Sequence, residues 1–331
     1  MRKLVVVTGG AGFIGSNVVG ALARRGDADV LVCDRMGRDE RWRNLAGHEI
    51  AGIVAPDRLI DVLAAESRAL DAVVHMGALS STTETDVDRF VDDNIRPSLA
   101  LWRFCADHGK RLIYASSASV YGDGGQGFDD DPAPEALARL KPLNAYAWSK
   151  LVVDRRVARL VSLGAPAPAQ WAGLRFFNVY GPNEGHKGDM RSVVTKNAPA
   201  AARGEAVMLF ASGRAGIPDG GQRRDFVYVK DCVRVVLWLL DKGHVNGLFN
   251  VGTGRAQSFA ELISALFRAY GREPRIAYRP MPSALEGRYQ YFTEARLERL
   301  RRAGYDAAFR GVEEGVADYV TNHPTDGDDH A

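Results

Sequence analysis

The amino-acid sequence predicts an α/β fold built on a parallel sheet, and three observations carry that expectation. Apolar, β-branched runs end abruptly in glycine or a polar residue, stretches with apolar residues at helical spacing separate them, and the alternation persists over the first 120 residues or so. LVVVTGG (4–10) has the unbroken apolar character of a strand buried on both faces. SNVVGALARRG follows with helical spacing, and Gly26 supplies its stop. DVLVCD (29–34), DAVVHMG (71–77) and KRLIYAS (110–116) repeat the strand pattern, with helical stretches between them. GDGGQGFDDDPAP (122–134) is too rich in glycine, aspartate and proline for regular structure. A helix resumes at NAYAWSKLVVDRRVARLV, GLRFFNVYG (173–181) reads as a strand, and FVYVKDCVRVVLWLLDKG as a further strand and helix. The end, HPTDGDDHA, is polar and acidic and is expected to be disordered.

At 331 residues the chain suits one large domain or two intimate ones, and 46% hydrophobic residues suffice for a sizeable core. Forty-three basic residues against 41 acidic ones leave a net charge of +2, which offers no electrostatic reason for a nucleic-acid or membrane partner. Cys33, Cys105 and Cys232 are far apart and odd in number, so neither a metal site nor a disulfide framework is expected, and a reduced, cytoplasmic setting fits. The apolar run after MRK is too short for a signal peptide. Nothing approaches the roughly 18 consecutive apolar residues of a membrane span.

TGGAGFIGS (8–16) lies between the first strand and the first helix, with glycines at 9, 12 and 15. Gly9 permits a tight turn, Gly12 lets backbone approach a pyrophosphate, and Gly15 lets helix pack on strand, while the helix N-terminus offers free N–H groups to negative charge. Glycines in this number often do no more than make turns. The strand–loop–helix context, with Asp34 closing the second strand about 20 residues on, raises the pattern to a dinucleotide-binding expectation. Asp34 suits the ribose hydroxyls of NAD, whereas Arg35, Arg38, Arg41 and Arg43 suit the 2′-phosphate of NADP. NADP is the expected cofactor, with NAD the alternative, and several of these arginines are expected simply to face solvent.

Tyr146 and Lys150 stand four apart in NAYAWSK, which places them on one helix face. An ammonium beside a phenol favours the phenolate and so makes a usable base. The bland alternative is two solvated side chains. Ser116 and Ser117, in YASSASVYG at a strand end, bring a hydroxyl able to bind the alcohol being oxidised.

TGGAGFIG, YASSASVYG and YAWSK, in this order, resemble the extended short-chain dehydrogenases that act on nucleotide sugars, and RRDFVYVKD (223–231) adds to the likeness. The resemblance runs from residue 4 to about 320. It implies a Rossmann-type doubly wound parallel sheet with a smaller α/β substrate-binding domain: residues 1–174 for the cofactor, 175–322 mainly for the substrate, about 225–254 returning to the Rossmann side, and 323–331 as a tail. HMGALSSTTE (75–84), FFNVYGPNEGHKG (176–188), FNVGTGRAQSF (249–259) and EGRYQYFT (286–293) are similar, more narrowly, to the ADP-glycero-manno-heptose 6-epimerase subfamily. By that resemblance Ser117, Tyr146 and Lys150 are catalytic, and Lys187 is a second acid/base group opposite the tyrosine. Gly9, Gly12, Phe13, Ile14, Gly15, Asp34, Arg35, Arg41, Ser80, Asn94, Lys150 and Val179 would line the cofactor site. Asn178, Asp189, Lys196, Phe210, Arg224 and Tyr289 would face the nucleotide sugar. A homo-oligomer, a pentamer in that subfamily, is also implied.

Departures are visible. Asp189 stands where the subfamily often has a small residue, Lys196 where it often has histidine, and the loop 211–222 is long. A UDP-hexose 4-epimerase would need the same serine, tyrosine and lysine but has no call for EGHKG, while a reductase that consumes NADPH stays open because hydride chemistry alone does not dictate redox neutrality. A 4,6-dehydratase would usually carry an Asp-Glu pair where Ala118 and Ser119 stand. A non-catalytic NADP-sensing protein on the same fold is a further alternative, though it would have little reason to keep Tyr146 and Lys150. His75 is expected to be packed or at the cofactor edge, and His186 to shape its loop.

Overall fold

The computed structural model describes residues 2–282 and 289–323. Six strands come first in the chain: β1 (Lys3–Thr8), β2 (Ala28–Cys33), β3 (Gly52–Val54), β4 (Leu70–His75), β5 (Arg111–Ser117) and β6 (Gln170–Phe176). Six more follow: β7 (Asn178–Tyr180), β8 (Val207–Phe210), β9 (Arg223–Tyr228), β10 (Gly247–Val251), β11 (Ala256–Ser258) and β12 (Ile276–Arg279). Seven of them form one sheet in the order β10-β6-β5-β4-β1-β2-β3, and every pair is parallel. Parallel strands need crossovers, and the helices that supply them cover both faces, so the strands are largely apolar and their buried polar side chains, Arg175 and Asn250 among them, are met by partners. β6 shows the effect most fully, with all seven residues buried.

The strand order turns back beside β1, so that the carboxyl ends of β1 and β4 border a crevice. In open α/β sheets ligands bind in such crevices. A second assembly stands over this edge. β11, β9 and β7 form a three-stranded sheet, β12 pairs with β8, and helices Val193–Arg203, Phe259–Ala269 and Val312–Asn322 pack with them around Val194, Leu209, Phe226, Leu266 and Val316. Phe13, from the start of helix Phe13–Arg25, joins this second core. Residues 229–251 then rejoin the large sheet: helix Val229–Lys242 packs beside Phe13–Arg25, and β10 pairs with β6. Apart from His323, the acidic tail lies outside the described residues, as do residues 286–288 of the EGRYQYFT element.

Candidate active site

The glycine loop shows why its residues are small. Gly9 has φ +63°, and a Cβ there would lie 2.6 Å from the Cα of Gly77, two residues past β4. A Cβ on Gly15 would stand 2.0 Å from the carbonyl oxygen of Gly9. Two chain segments therefore meet with no room for a methyl group. The next helix begins at Phe13 with Gly12 as N-cap, no side-chain cap bond and no acidic residue in its first turn. Its free N–H groups and positive dipole end suit a pyrophosphate.

These residues form one end of a cavity of about 820 Å³. Gly9, Gly12, Phe13, Ile14, Gly15, Asp34, Arg41 and Ser80 line it on the sheet side, with Ser117, Tyr146 and Lys150 in the middle. Asn178, Val179, Lys187, Arg224 and Tyr289 close it from the second assembly.

Ser117 ends β5 and opens the turn Ala118–Tyr121, where its Oγ accepts from the Ser119 amide at 3.2 Å and the Ser119 hydroxyl at 2.9 Å. Its own hydroxyl bonds the Tyr146 phenol, which opposes the larger upward push of burial on that phenol. Tyr146 and Lys150 lie on helix Ala145–Ser162, whose start Asn144 fixes by accepting from the Ala147 amide at 2.8 Å. The Lys150 ammonium is buried and donates to the Ala115 carbonyl at 2.9 Å. Burial pushes it down from 10.5 to about 8, and Asp154, one turn further along the helix, opposes that push.

Asp154 anchors this set from below. Its carboxylate, wholly buried, accepts from Arg175 Nε at 2.9 Å, from Ser116 Oγ at 2.9 Å and from the Tyr114 hydroxyl at 3.3 Å. Arg175 also donates to the Tyr121 hydroxyl at 2.9 Å. The pair fixes β5, β6 and the Tyr146 helix relative to one another.

Lys187 lines the same cavity from the turn Gly185–Met190. Its Nζ lies 3.3 Å from Glu184 Oε2 and 4.9 Å from the centre of the Phe13 ring. The segment before it is tied to the glycine-loop helix: Asn183 donates to Ser16 Oγ at 2.9 Å and Asn17 to the Pro182 carbonyl at 3.1 Å. Arg224 is buried with its guanidinium 5.0 Å from the Tyr289 ring and 5.7 Å from the Phe259 ring. No acid pairs with it among the described residues, which leaves a desolvated cation facing the cavity, a good partner for a phosphate.

At the far end Asp34 accepts from the Ala11 and Arg35 amides at 2.9 and 2.8 Å. Arg41 lies 3.5 Å from it and is held more closely by Asp39 through Nε and Nη2, at 2.6 to 3.0 Å.

Five of the residues that the resemblance assigns to the cofactor or the sugar lie outside the cavity wall, each for a local reason. Arg35 is exposed and pairs with Asp93 at 2.7 Å. Asn94 is buried behind the wall, where it clamps the backbone of Leu79 in both directions and donates to Ser149 Oγ at 2.9 Å. Asp189 follows Gly188, whose φ of +50° turns the chain outward, and is exposed. Lys196 falls on the outer face of its helix, opposite Val194, Ala198 and Ala201. Phe210 ends β8, where the Arg279 guanidinium covers its ring at 5.1 Å. His75 is packed: it contacts Thr8 Oγ1 at 2.6 Å and Ser98 Oγ at 2.9 Å, and burial, with Lys150 nearby, holds it down at about 3.

The cavity also takes in Ser81, His186, Arg191, Ser192 and Gln290, to which the sequence reading gave no binding role. Ser192 had a visible signal. It precedes the helical run VVTKNAPAAAR and caps it, accepting from the Thr195 amide at 3.2 Å.

A family model described as the NAD dependent epimerase/dehydratase family matches residues 5–252. The chain belongs to this family. Among curated relatives in the epimerase/dehydratase family, the ADP-L-glycero-D-manno-heptose-6-epimerase of Nitratidesulfovibrio vulgaris (strain Hildenborough) is 46% identical over 332 residues, covering 99% of this chain and 100% of that one. The protein of the same name from Fusobacterium nucleatum is 42% identical over 328 residues, covering 97% and 98%. Among solved epimerase structures, that of the Helicobacter pylori ADP-L-glycero-D-manno-heptose-6-epimerase matches with a TM-score of 0.78 at 28% identity, covering 97% and 96%. The Thermus thermophilus UDP-glucose 4-epimerase, solved with NAD, matches at 0.75 and 27% identity, covering 96% and 98%.

Proposed function

We propose that this chain is a nucleotide-sugar epimerase that interconverts ADP-D-glycero-D-manno-heptose and ADP-L-glycero-D-manno-heptose through transient oxidation at C6″. One observation carries the reading: the Ser117, Tyr146 and Lys150 set shares a single cavity with a second, separately held amine, Lys187. The shared name of the relatives described above supports the choice of sugar.

A bound nicotinamide dinucleotide would accept a hydride from the carbinol carbon and return it to the opposite face. Tyr146, as phenolate, takes the hydroxyl proton. Ser117 holds the sugar oxygen with the bond it now gives Tyr146, and the Lys150 ammonium stabilises the phenolate. Oxidation leaves a planar carbonyl, so inversion requires the sugar to present its other face. Lys187 then handles the proton in that second orientation. Arg224 receives the diphosphate, with Asn178 and Tyr289 beside it.

Gly9, Gly12, Phe13, Ile14 and Gly15 cradle the pyrophosphate of the cofactor, and Asp34 receives the adenosine ribose. We assign NADP because Arg41 is the guanidinium at that end of the cavity. Asp39 competes for the same guanidinium, so NAD is the rival ligand. The division into a cofactor part (1–174) and a substrate part (175–322) belongs to this reading, as does a homo-oligomer, a pentamer, which mass photometry tests. Among the described residues no helix is long and apolar enough to cross a membrane, and all three cysteines are buried and free, which supports a reduced, cytoplasmic setting.

Proton NMR of the purified protein with ADP-D-glycero-D-manno-heptose, without added reductant, tests the assignment. Conversion to a mixture of C6″ epimers is expected. No conversion by protein shown to hold its dinucleotide refutes the choice of sugar, and turnover of a UDP-hexose would replace it with a 4-epimerase.

A further inference from the structure

Glu184 opens the EGHKG element, and its side chain is fully buried although the turn it starts is largely accessible. Both carboxylate oxygens are engaged. Oε1 accepts from the Gly181 amide at 3.3 Å and the Thr195 hydroxyl at 3.0 Å, while Oε2 accepts from the Ser192 amide at 2.7 Å and the Lys187 ammonium at 3.3 Å. A carboxylate withdrawn from water is tolerated only when its lone pairs are met, and here donors from both sides of the loop meet them. Two of the four donors, Lys187 and Ser192, belong to residues that line the cavity. Lys187 is the only charged donor of the four, and its other contact is the Phe13 ring at the head of the glycine-loop helix. A long side chain between flexible neighbours would otherwise sample many rotamers. Glu184 below and Phe13 beside it leave few.

We propose that Glu184 is the positioning residue for Lys187, holding its ammonium at one place in the cavity wall. By the same carboxylate it ties that place to Ser192 and the start of the next helix. The inference rests on the reading of Lys187 as an acid/base group. The plain alternative is a loop staple indifferent to the lysine.

A double-mutant cycle separates the two. Glu184→Gln, Lys187→Met and the double variant are compared by NMR-detected epimer conversion. Glu184→Gln is expected to lower kcat about ten-fold or more with KM little changed, and to add nothing once Lys187 is Met. Equal losses in both backgrounds overturn the proposal. Thr195→Val loosens the same carboxylate while keeping its charge, and it gives a smaller loss with the same dependence on Lys187 should Glu184→Gln fold poorly.

A second readout does not depend on turnover. Competitive acetylation of Lys187, quantified by mass spectrometry, is expected to run several-fold faster in folded Glu184→Gln or Thr195→Val protein. Unchanged labelling overturns the positioning claim. If the wild-type protein converts no heptose substrate, the functional reading fails by itself, and the labelling alone decides whether Glu184 holds Lys187.

Discussion

Lys150 is a buried ammonium that the free protein retains at a cost, and replacing it with methionine measures that cost. Its proton is held less tightly in the folded chain, at about 8 against 10.5, because burial strips water from the charge. The gap of about 2.5 pH units corresponds to about 3 kcal/mol of destabilisation at pH 7, where the ammonium is charged in both states. Lys150→Met removes this cost but leaves the Ala115 carbonyl without its donor, a loss of about 1 kcal/mol. The ligand-free variant should therefore be more stable than the parent by about 2 kcal/mol at pH 7, while catalysis collapses. The pH dependence follows from the direction of the shift. Between about pH 8 and 10.5 the unfolded chain carries a proton that the folded chain has lost, so the parent gains stability as pH rises through this window. By pH 10 the lysine cost falls below about 1 kcal/mol, and the variant's advantage should vanish. Urea denaturation of both proteins at pH 7, 9 and 10 provides the measurement. A variant less stable than the parent at pH 7, or a difference that does not shrink with pH, would refute the reasoning.

Tyr146→Phe should lower kcat by about 10²- to 10⁴-fold with dinucleotide affinity retained, checked by steady-state kinetics and calorimetric titration. Asp154→Asn should destabilise the fold by about 3–5 kcal/mol in urea, since it strands the wholly buried Arg175 guanidinium, and it should also push Lys150 further down. Asp39→Asn frees Arg41 from a partly exposed pair worth about 0.5–1 kcal/mol. Titrations with NADP and NAD should then show the preference moving toward NADP by about two- to five-fold; a shift toward NAD would mean that Arg41 does not meet the 2′-phosphate.

What the sequence revealed was what short-range physics controls. The apolar runs at 4–8, 29–33, 71–75 and 111–116 are strands, and glycines 9, 12 and 15 fall where backbone must approach backbone. Tyr146 and Lys150 share a helix face because they stand four apart within the helix that Asn144 caps. Hidden from it were features set by contacts across long separations. The resemblance placed Lys196 at the sugar, but only the second core shows which face of its helix is covered, and Val194 and Ala198 are the covered ones. Asn94 was assigned to the cofactor, yet its amide is consumed by Leu79 and Ser149, a partnership invisible before the loop after β4 is placed. Arg35 and Arg41 look alike in sequence, but one reaches Asp93 at the surface and the other turns back over Asp34. Glu184 gave no signal beyond its motif, because the Thr195 and Ser192 groups that bury it come from beyond the turn.

The placement of β10 against β6 governs the order in which a nascent chain can become stable. β6 leaves the ribosome as the outermost strand of a sheet that lacks its last member, and all seven of its residues are destined for burial. The strand that covers it emerges only after the chain has departed for the second assembly and laid down β7, β8 and β9. Until then translation carries a seven-residue edge, mostly apolar, with unpaired backbone groups, the kind of surface that recruits a neighbouring chain. Production of this protein at high density should thus be limited by protection of Gln170–Phe176 during synthesis, and slower elongation before residue 247 should lower its yield rather than raise it.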